Sequence, residues 1–166
     1  DLGAVSWDEF VLAEGAPEER VAQFLQSVLP LLIQTDSSEL TGERQVCSLL
    51  ANILRVNRIK FRLLNSPGGH PNLHSFKGDG RRPSVLLLSN SDVVPAGDQG
   101  WTCDPFGGEK VDGKICGRGA LDMKGPLAVF LALHILAMLE KESGLLKKNT
   151  GRRPTRRLCV EGGLPR

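Results

Sequence analysis

The chain has no tyrosine, and aromatic residues make up only 5% of it. A platform that stacks successive bases on aromatic rings is therefore not on offer. No apolar run approaches the roughly 18 residues that cross a bilayer as a helix, so no membrane span is expected. The opening Asp1-Leu2-Gly3 carries neither a basic start nor an apolar signal core, and no initiator methionine. The expectation is that something upstream was removed or that the chain is a fragment. C-x-x-C pairs are missing too: Cys47, Cys103, Cys116 and Cys159 are widely spaced, which excludes zinc-finger and dithiol redox spacings. With no signal segment, such cysteines are expected to be reduced thiols in a cytoplasmic protein.

What is present suits one globular domain. The 166 residues are 40% apolar and 24% charged, and a chain of this length buries roughly two-thirds of its unfolded surface. The net charge of +2 hides an asymmetry. From Lys147 onward, Lys147, Lys148, Arg152, Arg153, Arg156, Arg157 and Arg166 face Glu161 alone, while the preceding body is mildly acidic. Such a tail reads either as an arm for an anionic partner such as nucleic acid or as sequence foreign to the domain. A charge run alone rarely identifies a partner, so no nucleic-acid role is assigned.

Apolar periodicity predicts helices over 20–33 and 43–56, the first after Pro17-Glu18-Glu19, which suits a helix start. Strands are expected at 59–64 and 72–76. At 84–88 a continuous apolar run matches a strand buried on both faces. Residues 89–122 hold Pro95, Pro105 and seven glycines, with short β-like stretches at 109–111 and 114–116 around the Asp112-Gly113 turn signal. A helix starting near Pro126 and running to about Lys141 follows. The stretch 155–161 is a candidate last strand. Helices, then strands, then a helix read as an α/β layered domain.

The chemistry is expected where the strand at 84–88 ends, because ligand sites gather beyond the carboxyl ends of strands in open α/β sheets. Asp92 lies there, and Asp122 immediately precedes the last helix. Two carboxylates on glycine-rich element boundaries are plausible cation ligands. An Asp before a helix is also a common cap, and residue types alone leave both readings open. His70 and His74 are four apart, but Pro71 between them argues against a shared helical face. His134 falls on the apolar side of the last helix and reads as a satisfied core histidine. Lys124-Gly125 reverses the order that a phosphate-binding Gly-Lys motif requires. Trp101 and Phe106 read as loop packing.

The strings Asp92-Val-Val-Pro95, Trp101-Thr-Cys-Asp-Pro-Phe-Gly-Gly-Glu109, Asp112-Gly113 and Gly117-Arg-Gly-Ala-Leu-Asp-Met-Lys-Gly125 resemble, in order and spacing, peptidase family M-twenty. Its members are co-catalytic zinc hydrolases such as aminoacylase, carboxypeptidase S, acetylornithine deacetylase and succinyl-diaminopimelate desuccinylase. The resemblance runs from Val85 to Leu139, with the earlier helices fitting less specifically and nothing matching past about Asn149.

It implies the N-terminal part (residues 1–149) of a zinc-exopeptidase-like catalytic domain, with a mixed, mainly parallel sheet flanked by helices. Residues 150–166 are left as a basic tail that does not match. It also implies two zinc ions bridged by Asp122. Asp92 becomes the catalytic-site aspartate that orients a zinc-binding histidine two residues earlier. That position is Asn90 here, whose amide oxygen is a poor zinc ligand beside imidazole nitrogen. The family's general base is the first of two adjacent glutamates beyond the bridging aspartate. No such pair follows Asp122, and Glu161-Gly162-Gly163 lacks the partner glutamate. The implied function is hydrolysis of peptide or N-acyl amino-acid amides by zinc-activated water, in a chain expected to be truncated and inactive. The alternative is a non-catalytic relative acting as a binding or regulatory protein, including as a homo-oligomer.

Overall fold

A computed structural model of the chain describes residues 6–11, 15–77, 83–98, 100–139 and 155–161. A single 3-10 turn, Trp7–Phe10, precedes α1 (Pro17–Gln34) and α2 (Leu40–Val56). Pro17 opens α1, where its missing N–H costs nothing. Phe24, Val28, Leu32 and Ile33 then recur on one buried face. Both helices begin earlier than the periodicity suggests, because their first turns are polar. Strands β1 (Phe61–Asn65), β2 (Pro71–Lys77) and β3 (Pro83–Asn90) follow, then the two-residue strands β4 (Lys110–Val111) and β5 (Lys114–Ile115). Helix α3 (Lys124–Leu139) and strand β6 (Thr155–Glu161) complete the described elements. The helix end expected near Lys141 lies outside the described residues.

The main sheet has the order β1-β2-β6-β3. β1 and β6 each run antiparallel to β2, whereas β3 and β6 are parallel, giving the mixed sheet of an α/β domain. The last strand in sequence thus inserts between β2 and β3, in the middle of the sheet. Residues 155–161 are structural, although they sit in the stretch whose composition marks a basic tail.

One face of the sheet carries the core. Leu73 of β2 is paired with Val160 of β6, and Ser75 with Leu158. Leu73, Leu158 and Val160 are buried in one cluster with Val46, Leu50 and Leu54 of α2 and Leu127, Leu131 and Ile135 of α3. His134 is buried in this layer, its Nε2 2.9 Å from the Ser75 hydroxyl, in the core position expected of it. Residues of β3 that point the other way stay open: Leu86 is 54% and Leu88 50% exposed.

Candidate functional site

The parallel pair β3 and β6 ends with Asn90 in register with Glu161, so both residues sit at the carboxyl edge of the sheet. Sequence reading had set Glu161 aside for want of a neighbouring glutamate. Only a long-range strand pairing brings it beside Asn90, and no local signal carries that information.

Beyond Asn90 the chain is clamped from the α1–α2 connection. Ser37 donates its hydroxyl to the Ser91 carbonyl at 2.6 Å, and the Val93 N–H donates to the Ser37 carbonyl at 3.2 Å. Asp92 is half-buried. Its Oδ1 is enclosed without a hydrogen-bond partner, as is the hydroxyl of Ser91. A buried carboxylate oxygen left unpaired costs free energy that a nearby donor or cation would recover. Asn90 itself is exposed.

Asp122 approaches by a separate route. Gly119, at φ 80°, lies so close to Val93 that a Cβ there would stand 2.7 Å from Val93 Cγ1. That contact brings the segment before α3 against the segment after β3. Gly125 is equally constrained, since a Cβ would collide with the Ala120 carbonyl. Asp122 precedes α3, is exposed, and forms a cis peptide bond with Met123. Lys124, 1% exposed, donates from Nζ to the Thr35 carbonyl at 2.7 Å and so ties the start of α3 to the end of α1. Burial pushes its ammonium down to about 8, with Asp36 pulling the other way.

The intervening loop is held by several kinds of bond. The Arg118 guanidinium lies 4.8 Å from the Trp101 ring centroid and donates to the carbonyls of Pro95 and Ala96 at 3.3 Å. Trp101 Nε1 donates to the Ala96 carbonyl at 3.2 Å, and Asp104 Oδ1 accepts from the Phe106 N–H at 2.9 Å. Cys103 and Cys116 form a disulfide with Cα atoms 6.5 Å apart. This corrects the expectation of four reduced thiols. The Asp112-Gly113 hairpin turns the chain back, so two cysteines 13 residues apart meet without any C-x-x-C pattern.

The remaining histidines stand elsewhere. His70 Nδ1 pairs with Glu43 Oε2 at 2.8 Å, and His74 lies within β2 in register with Arg62 and Cys159. Among the described residues no group of three or more His, Cys, Asp or Glu side chains is placed to hold a metal ion. A zinc site needs about four donors and favours imidazole or thiolate. An exposed Asn90 amide and the carboxylates of Asp92 and Asp122 fall short of that set. The enclosed Asp92 oxygen, like the adjacent Ser91 hydroxyl, is left without a hydrogen-bond partner.

Solved structures share this fold. An M20 family metallo-carboxypeptidase from Sulfolobus solfataricus superposes with a TM-score of 0.65 at 22% identity, covering 83% of this chain and 30% of that one. Human carnosine dipeptidase 1 gives 0.65 at 21%, covering 90% and 35%. The chain therefore has the α/β fold of these metallopeptidase structures, over about a third of their length. In sequence, residues 86–150 match the model of Peptidase family M20/M25/M40. A succinyl-diaminopimelate desuccinylase of Rhodospirillum centenum is 53% identical over 62 residues, which are 37% of this chain and 16% of that protein. A probable succinyl-diaminopimelate desuccinylase of Staphylococcus epidermidis is 36% identical over 120 residues, covering 71% and 28%. The chain thus spans between about a sixth and somewhat over a quarter of these relatives.

Proposed function

We propose that these residues carry part of an amide-hydrolase catalytic domain of the M20 type, acting on peptide or N-acyl amino-acid amides. As constituted here, the chain is catalytically silent. The observation that carries the reading is the enclosed, unpaired Oδ1 of Asp92, two residues after Asn90 and at the edge where β3 and β6 end. A carboxylate in that position is suited to accept the N–H of an imidazole at position 90 and fix its ring for a metal. Asn90 is too short to make that bridge and too weak a zinc donor to replace it. Asp122, on the segment that the Gly119–Val93 contact brings against the chain after β3, is the carboxylate that would hold metal from this side. Zinc would supply an activated water nucleophile.

The substrate class rests on the desuccinylase and dipeptidase relatives. A second reading, a non-catalytic partner protein, is favoured by the open apolar residues Leu86 and Leu88, which suit association with another polypeptide, including another copy. The Cys103–Cys116 bond supports an oxidising compartment over the cytoplasm that cysteine spacing suggests.

Equilibrium dialysis against zinc tests the metal argument. The natural chain is expected to retain less than one zinc per chain at micromolar metal. Asn90→His should bind at least about tenfold more tightly, and adding Asp92→Ala should remove most of that gain. Equal zinc uptake by all three proteins would sink the reading.

A further inference from the structure

The carboxyl end of α2, the start of β1 and the end of β2 line an open surface depression of about 500 Å³. Because β2 is antiparallel to β6 and β3, this depression lies at the amino ends of those strands. It is separated from Asn90 by the length of β3, roughly 20 Å. Its wall holds Arg55, Arg58, Lys60 and Arg62, two phenylalanine rings, Phe61 and Phe76, and no acidic residue.

Surface cations are ordinarily interspersed with carboxylates, and these four are not. Among the described residues no carboxylate forms an ion pair with any of them, the Glu43–His70 pair being elsewhere. Arg55 is bonded to the neutral amide of Asn52. Two guanidiniums are already positioned by the rings: Arg55 lies 5.8 Å from the Phe61 centroid and Arg62 6.0 Å from that of Phe76. Arg58 sits at φ 56°, where the chain leaves α2 through bonds from the Arg58 N–H to the Arg55 carbonyl and from the Ile59 N–H to the Leu54 carbonyl. Glycine or asparagine suits that left-handed position better. Arginine there accepts backbone strain and places a third guanidinium at the rim of the depression.

We propose that this depression binds a phosphomonoester carried on a flat apolar body, a mononucleotide being the simplest of the class. Guanidinium forks match phosphate oxygens in pairs, and a dianion relieves the mutual repulsion of four like charges better than a single carboxylate does. The two rings, both only partly buried, offer apolar surface to the body of the ligand. This site is independent of the hydrolase reading at the other end of the sheet.

The test is calorimetric titration of the whole chain with AMP, adenosine and inorganic phosphate. AMP is expected to bind with a Kd below ~1 mM, the other two at least about tenfold more weakly, and AMP affinity should fall as salt rises. Arg58→Gly removes one guanidinium while relieving the backbone, so its Tm should match or exceed that of the natural chain. Arg62→Gln alters an exposed side chain. Each is expected to weaken AMP by about fivefold or more. No AMP binding near ~1 mM, unchanged affinity in both variants, or phosphate and adenosine binding as tightly as AMP would overturn the proposal.

Discussion

The two faces of the central sheet differ in composition and in cover: Leu73, Leu158 and Val160 share one, whereas Leu86 and Leu88 share the other with Arg157, His74 and Asn72. On one face Leu73, Leu158 and Val160 are fully buried under α2 and α3, and Ser75 finds His134. On the other, Leu86 and Leu88 come from the same unbroken Val85-Leu-Leu-Leu88 run and remain about half exposed. A run apolar at every position, rather than at alternate ones, belongs to a strand designed for cover on both sides. Here only one side has it among the described residues.

The sharpest way to break this comparison is truncation on each face. Leu158→Ala should cost about 2–5 kcal/mol of unfolding free energy, because it leaves a cavity between the sheet and α3. Urea titration measures it, and Leu86→Ala at the open face sets the contrast below.

Lys124 gives the next effect. Its folded pKa is lowered from 10.5 to about 8, so between those values the unfolded chain binds more protons. Stability should accordingly rise with pH across that window, by up to about 3 kcal/mol relative to Lys124→Met, and the difference should be constant below pH ~8. A flat difference from pH 7 to 11 would mean that the lysine is better hydrated than its burial indicates.

Reducing the Cys103–Cys116 bond, or replacing both residues by serine, should cost about 3 kcal/mol in the chain-entropy picture. Cys47, buried and pushed up to about 12 first by desolvation and then by Glu43, should resist iodoacetamide at pH 8.5 in the folded protein. Mass spectrometry after alkylation separates the two predictions.

Smallest of all, Leu86→Ala should change stability by no more than about 0.5 kcal/mol. A loss as large as that at Leu158 would show that the second face is covered in solution.

Much of the fold was legible along the chain. Helical spacing of Val46, Leu49, Leu50, Ile53 and Leu54 located α2, and the apolar run located β3, because both signals are local. The start of α3 was placed near Pro126, but the helix begins at Lys124, whose aliphatic stem goes into the core while its ammonium reaches the Thr35 carbonyl. A lysine read as polar gives no hint of that. Asn90, Asp92 and Asp122 were marked by their positions at element ends. The meeting of the segment before α3 with the segment after β3 depends on Gly119 fitting against Val93, which is a matter of backbone contact. The insertion of β6 between β2 and β3, the Glu161–Asn90 register and the Cys103–Cys116 bond were not legible, since each is set by pairing across the fold rather than by neighbouring residues.

The central claim is that the edge formed by Asn90, Asp92 and Asp122 is a metallohydrolase edge deprived of its working donors. It is tested most directly by incubating the purified chain and its Asn90→His variant with zinc and N-succinyl-diaminopimelate, and following release of succinate. Neither protein should release succinate above the zinc-only background, even where the variant binds metal. Zinc-dependent turnover by the natural chain would contradict the account.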